Sequence, residues 1–283
     1  MPRERPPASC AACVRSSGVV ATNAEQNRDR LLLDTKRAIV TGGASGIGRA
    51  IVDLFAQEGA EVLLVDRDEE GVANTTAAIS SAGGSVSGMV IDVTDADDVE
   101  RMLDSANAGG PVHVLVCAAG VVAHGTVVDT SPAEWRRIID VNLTGVFLCT
   151  RAVIPSMIAA GGGAIITISS STGPQLVIGN AAAYVASKAG VAALTRAIAV
   201  DHAVQGIRAN SIAPGPTDTA MLRGLLEEGA RSRFGETLPI GRLGTPEEIA
   251  AVALFLASEA ASFVTGAVVP VDGGQTATVA MNG

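Results

Sequence analysis

The sequence predicts an α/β chain: one doubly wound parallel sheet of about seven strands with helices on both faces. From Lys36 onward, short β-branched runs alternate with Ala- and Leu-rich runs of helical length, the pattern of repeated strand–helix units. Most strand candidates are apolar on both faces, as strands between two helical layers are. A glycine-rich turn joins the first strand directly to the first helix.

Residues 1–34 carry Pro2, Pro6 and Pro7, several Arg, Ser and Asn, and no sustained hydrophobic period. They read as a disordered extension ahead of one domain spanning 35–283. A transit peptide would suit the arginines, but Glu4, Glu25 and Asp29 and the lack of an apolar stripe speak against it. Cys10 and Cys13 form a CxxC without a second ligand pair, so neither a metal nor a redox role is assigned to them. Strands are predicted at 37–41, 61–66, 86–91, 112–117, 163–169, 207–212 and 267–271. Helices are predicted at about 46–58, 69–82, 95–108, 131–160, 180–204 and 246–257. The stretch between Arg151 and Lys188 is free of charge, but Pro155, Gly161 to Gly163, Ser169 to Ser171 and Pro174 divide it into helix, turn and strand. No transmembrane segment is therefore expected.

Composition narrows the function. A chain of 283 residues that is 48% hydrophobic can bury a large core, whereas 2% aromatic content leaves little for stacking on bases. A net charge of -9 argues against nucleic acid or an anionic membrane as partner. Cys117 and Cys149 lie in apolar runs and read as buried, reduced thiols, which suits the cytoplasm. No metal site is expected.

The first strand runs into Thr41-Gly42-Gly43-Ala44-Ser45-Gly46-Ile47-Gly48, and Arg49 continues a helix. Side chains at Gly42, Gly46 and Gly48 would block the tight turn and keep a pyrophosphate from the amides at the helix start; Ser45 and Ile47 belong to the same turn. Asp66 ends the second strand, where a carboxylate accepts hydrogen bonds from an adenosine ribose diol and repels a 2′-phosphate. Arg67 offsets that repulsion in part. NAD is therefore favoured over NADP. Capping of the next helix is the competing role for Asp66, one that Asp68 fills equally well.

Tyr184 is the only tyrosine, and Lys188 follows four residues later on a predicted helix, so the two share a face. A free phenol titrates near pH 10, and a neighbouring ammonium is expected to lower that value so that Tyr184 serves as a base.

With TGGASGIG at 41–48, Asn142, Ser170, Tyr184-Val185-Ala186-Ser187-Lys188, Pro214-Gly215 and Val271-Asp272-Gly273-Gly274 in this order, the chain resembles the short-chain dehydrogenase/reductase family over residues 36–274. The resemblance implies a Rossmann-like fold and an oxidoreductase that moves a hydride between a nicotinamide and an alcohol/ketone carbon. It makes Tyr184 the acid/base, Ser170 the holder of the substrate oxygen and Asn142 part of a water-linked proton path to Lys188. Ser171 is the alternative serine, because three serines stand in a row. The resemblance also puts Asp92 and Val93 along the adenine and Ala119 and Gly120 beside the adenosine ribose. It puts Lys188 on the nicotinamide ribose, and Thr217 and Thr219, after Pro214-Gly215, on the carboxamide.

Two features depart from the family pattern. Cys117-Ala118 replaces a pair of asparagines that tie neighbouring strands, which puts the rigidity of the sheet in doubt. His113 replaces an acidic residue and reads as structural, while His124 is a surface-loop residue or a substrate contact. The segment Met221 to Leu243 mixes Leu222, Leu225, Leu226 and Phe234 with Arg223, Arg231 and Arg233. The first set suits a hydrophobic substrate and the second a carboxylate or an acyl-carrier phosphate; an ordinary amphipathic helix is the default. Leu176, Val177 and Ile178 suggest a small or alicyclic alcohol. Relatives of this build imply a homotetramer, with helices 131–160 and 180–204 at one interface and 255–274 at another. An NADPH-dependent 3-oxoacyl-carrier-protein reductase is the alternative enzyme. A lyase or epimerase of the same superfamily would need a larger C-terminal domain, and a noncatalytic nucleotide-binding scaffold would not need both Tyr184 and Lys188.

Overall fold

Seven parallel strands form one sheet in the order β3-β2-β1-β4-β5-β6-β7. They are β1 (Arg37–Thr41), β2 (Glu61–Asp66), β3 (Val86–Val90), β4 (Val114–Cys117), β5 (Gly163–Ile168), β6 (Ile207–Pro214) and β7 (Val268–Val271). The chain builds outward from β1 to β3, then crosses back to lay β4 on the other side of β1. Helices leave β1 and β4 for opposite faces, which opens a crevice at their carboxyl ends. Thr41 is in register with both Val65 and Cys117, so three strand ends lie level at that crevice.

The computed structural model describes residues 31–278. Cys10, Cys13 and nearly all of the expected extension lie outside the described residues. The packed unit starts at Leu32, ahead of the expected boundary at 35. Leu33 is fully buried in the same core cluster as Phe55, and its N–H donates to the Glu58 carbonyl at 3.0 Å.

Helices α1 (Gly46–Gln57) and α2 (Glu69–Ser81) bury Ile51, Phe55, Val72 and Ile79 on one face of the sheet, together with Ile249 and Leu254 of a late helix. Helix α3 (Ala96–Asn107) covers the other face with Met102. The expected helix 131–160 is three pieces: α4 (Pro132–Ile139), one π turn (Asp140–Thr144) and α5 (Gly145–Ala159). Ser131 caps α4 by accepting from the Glu134 N–H at 3.1 Å, with Pro132 in the first turn. Pro155 lies inside α5 without ending it. Helix α6 (Ala182–His202) follows, burying Val191 and Ile198 on the α3 face. The segment after β6 forms two short helices, α7 (Ala220–Leu225) and α8 (Glu228–Glu236), instead of one amphipathic helix. Helix α9 (Pro246–Ala257) carries Ile249 and Leu254, and a Thr245/Glu248 capping box closes its N-terminus.

β3 exposes Ser87, Gly88 and Val90, because it is an edge strand and not one buried on both faces. Two helical stretches, Pro132–Ala159 and Ala182–Gln205, are long and apolar enough to cross a membrane by length and composition. Both pack a buried stripe into the core, as the helices of a doubly wound sheet must. They also leave Phe147, Val200 and Val204 exposed. Beside Cys117 the ends of β1 and β4 are joined through the Thr41 hydroxyl, which accepts from the N–H groups of Ala118 and Ala119 at 3.2 and 3.3 Å. His113 is structural, its Nδ1 accepting from the Arg37 N–H at 3.1 Å.

Candidate active site

The crevice at the carboxyl ends of the strands is a cavity of about 470 Å³. It is lined by Gly42, Ser45, Gly46, Ile47, Gly48, Asp66, Arg67, Asp92, Val93, Ala119, Gly120, Pro214, Gly215, Thr217 and Thr219, together with Ser170, Tyr184 and Lys188. Among the residues assigned to chemistry or cofactor, Asn142 alone sits behind the wall, fully buried.

The glycine turn fits a nucleotide cofactor in a way no other residues would. Gly42 has φ +69°, and a Cβ there would lie 2.6 Å from the Ala119 nitrogen. A Cβ on Gly48 would lie 2.0 Å from the Gly42 carbonyl oxygen. The turn therefore folds flat against the end of β4 and leaves the start of α1 open to the cavity. Asp66 accepts from the N–H groups of Ala44 and Asp68, both at 3.2 Å, which holds its carboxylate beside the turn. Asp68, not Asp66, caps α2 by accepting from Gly71 at 3.1 Å. The Asp92 carboxylate accepts from the N–H and hydroxyl of Thr94 and so shapes the turn after β3. Thr217 donates to the Gly215 carbonyl at 3.0 Å and Thr219 caps α7, so both hydroxyls also serve their own loop.

Tyr184 and Lys188 share one face of α6. The Lys188 ammonium lies 5.8 Å from the centre of the Tyr184 ring and donates to the Ile168 carbonyl at 2.9 Å. Burial drives its pKa down to about 8. The expected lowering of Tyr184 is reversed: burial raises the phenol, and the hydrogen-bonding Ser170 side chain only partly opposes it. Desolvation acts on both groups and disfavours each charged form.

The three serines divide the work. Ser169 donates to the Ile212 carbonyl at 2.9 Å and belongs to the sheet. Ser170 lines the cavity with Tyr184, the serine hydroxyl accepting from the Thr172 N–H at 3.1 Å. Ser171 donates to Gln275 Oε1 at 3.1 Å. Asn142 stands in the π turn, where its amide oxygen accepts from Val121 at 2.8 Å and its nitrogen donates to the Val121 carbonyl at 2.9 Å and to Ser187 at 3.0 Å. It is thus both the kink of the long helix and a clamp between the loop after β4 and α6. π turns of this kind concentrate at functional sites.

The substrate end is largely aliphatic. Ile178, Leu222, Leu225 and Phe234 line it, and so does His124; Leu176 and Val177 do not. Arg223 is paired with Asp218 at 3.1 Å, and neither it nor Arg231 or Arg233 reaches the cavity. Sequence reasoning missed Gln275, because nothing in its neighbourhood marks it as close to Ser171. Among the described residues, no group of three or more His, Cys, Asp or Glu side chains is placed to hold a metal ion.

Comparison with known proteins identifies the family. The family model described as enoyl-(acyl carrier protein) reductase matches residues 42–276. Cis-4-hydroxycyclohexanecarboxylate dehydrogenase of Sinomonas cyclohexanicum is 45% identical over 242 residues, 85% of this chain and 96% of that protein. A short-chain type dehydrogenase/reductase from Mycobacterium marinum is 36% identical with a TM-score of 0.84, covering 89% of this chain and 99% of its own. A gluconate 5-dehydrogenase from Burkholderia cenocepacia J2315, solved in complex with NADP and tartrate, is 36% identical with a TM-score of 0.83, covering 89% and 99%.

Lowering the Lys188 pKa from 10.5 to about 8 corresponds to roughly 3 kcal/mol of folding free energy lost below pH 8, where folded and unfolded chains both carry the charge. That loss is recovered as pH rises from about 8 to about 10.5, where the unfolded chain alone stays protonated. Lys188→Met should therefore unfold at a higher temperature than the unsubstituted protein at neutral pH, with the gap closing across that window. A difference in Tm that stays constant from pH 7 to 10 would show that the amine is not strained by burial.

Proposed function

Because the chain belongs to the short-chain dehydrogenase/reductase family, we propose that this NAD(P)-dependent oxidoreductase interconverts a secondary alcohol and a ketone through Tyr184, Ser170 and Lys188, with NAD as its preferred cofactor. The observation that carries the reading is that Ser170, Tyr184 and Lys188 line one cavity, with the buried Lys188 amine one helical turn from the phenol and 5.8 Å from its ring centre. A substrate hydroxyl held by Ser170 lies beside the phenol. In oxidation Tyr184 takes the hydroxyl proton; in reduction it returns it. When bound, the nicotinamide supplies the acceptor for the hydride leaving the carbinol carbon, and its positive charge favours the phenolate that burial disfavours. One of the three Lys188 donors is spent on Ile168, which leaves two for a ribose hydroxyl and the phenol. Asn142 supports the proton path by fixing the Val121 loop beside Lys188.

Support for NAD comes from Asp66, a carboxylate on the cavity wall beside the glycine turn, where like charge would disfavour a 2′-phosphate. Arg67 beside it is the counterweight. The aliphatic wall and the absence of the loop arginines from the cavity favour a small or alicyclic alcohol over an acyl-carrier thioester. The 45% identity to a dehydrogenase of a hydroxylated cyclohexane acid points the same way. Exposed Phe147, Val200, Val204, Phe255 and Phe263 give the apolar surface that a homotetramer would bury through its long helices and its 255–274 segment. Burial pushes the Cys149 thiol up to about 12 and raises Cys117, so both stay unreactive thiols, in keeping with a cytoplasmic protein.

Tyr184→Phe should cut turnover of a secondary alcohol by about a hundredfold or more, read from absorbance of the reduced cofactor; undiminished oxidation would defeat the assignment. Asp66→Ala should shift the ratio of kcat/KM for NADP over NAD upward by about tenfold, and an unsubstituted protein that already favours NADP would refute the reading of Asp66. Sedimentation at micromolar protein should give a tetramer; a monomer would remove the assembly.

A further inference from the structure

The cavity wall that receives substrate is largely apolar, with His124 and Thr172 among its polar members, and it carries a further polar group beside Ser171. There Gln275 reaches in from the one-turn helix that follows β7. Ser171 donates to its Oε1 at 3.1 Å. That bond occupies the acceptor of the carboxamide, and among the described residues nothing accepts from its Nε2. Two N–H donors are left in a cavity whose wall includes Met221, Leu222, Leu225 and Phe234.

The placement of this side chain is built, not incidental. The Asp272 carboxylate accepts from the Gly274 N–H at 3.0 Å, the Thr276 N–H at 2.9 Å and the Thr276 hydroxyl at 2.6 Å. Burial pushes that carboxyl up, but these hydrogen bonds outweigh it and hold the group below its ordinary range. The Gln275 N–H donates to the Asp272 carbonyl at 3.1 Å. The Asp272 backbone lies against the cofactor loop, where a Cβ on Gly215 would come within 2.6 Å of its Cα. Gln275 is therefore tied to the loop of Pro214-Gly215 on one side and to the serine run on the other. An amide immobilised in this way loses little further freedom when it binds.

We infer that Gln275 is a specificity-determining residue: its Nε2 binds a hydrogen-bond-accepting oxygen carried by the alcohol at a position away from the reacting carbon, and Ser171 is the positioning residue that turns the amide to do so. This inference rests on the alcohol/ketone reading of the site. A donor in an apolar wall discriminates strongly, because an alcohol lacking the second oxygen leaves it desolvated and unpaired. The preferred substrates are thus aliphatic or alicyclic secondary alcohols bearing a carboxylate, carbonyl or second hydroxyl group.

The test compares kcat/KM for cis-4-hydroxycyclohexanecarboxylate with kcat/KM for cyclohexanol, at saturating NAD, in the full-length protein. Gln275→Leu should lower the ratio by roughly five- to tenfold, chiefly through KM of the acid. Gln275→Glu, which offers an acceptor in place of a donor, should lower it further, and Ser171→Ala should lower it in part. An unchanged ratio in Gln275→Leu overturns the inference, whether both alcohols lose equally, as a role in cofactor binding or folding would make them, or neither loses. A ratio kept by Gln275→Glu overturns it as well. Tyr184→Phe, assayed alongside, separates the two readings, because loss of the proton-transfer group lowers both alcohols together.

Discussion

An amine with almost no access to water, lying under a phenol, organises the site. Lys188 has one protein partner, the carbonyl of the last residue of β5, and that bond sets how α6 approaches the sheet. The chain between Ser170 and α6 must then cross the helix closely. Gly173 makes the crossing, where a Cβ would lie 2.8 Å from the Val185 carbonyl oxygen. Gly120 passes so near that a Cβ there would be 3.3 Å from Lys188 Nζ and 3.5 Å from Asn142 Oδ1. The ends of two strands, the π turn and α6 thus converge on one charge. The arrangement destabilises the fold at neutral pH, a cost common where function requires a buried ionisable group.

Much of this was legible beforehand. The strand–helix alternation predicts the sheet, because a two-layer sandwich around parallel strands imposes the same apolar runs wherever it occurs. The glycine turn and the Tyr184/Lys188 spacing are equally plain, since one depends on missing side chains and the other on helical period. What stayed hidden depends on contacts distant in sequence. Asn142 stands in the π turn with its amide bonded to both Val121 and Ser187, and no local pattern reveals either partner. The three serines look equivalent in sequence and differ only in what faces them: Ile212, Tyr184 and Gln275.

The sign of the Tyr184 shift was misjudged for a related reason. Spacing along a helix reveals that an ammonium is near, but not that both groups are removed from water. Once they are, the loss of hydration disfavours both charged forms. The burial of Leu33 was hidden in a similar way. A single aliphatic residue, Leu33, has no periodicity to announce it, yet the hollow beside Phe55 is deep enough to bury it fully.

Having one tyrosine in 283 residues has an optical consequence. In most enzymes the near-ultraviolet change on forming a tyrosinate is a sum over many rings. In this protein it would come from Tyr184 alone, so the chain carries its own indicator of the ionisation on which its chemistry turns.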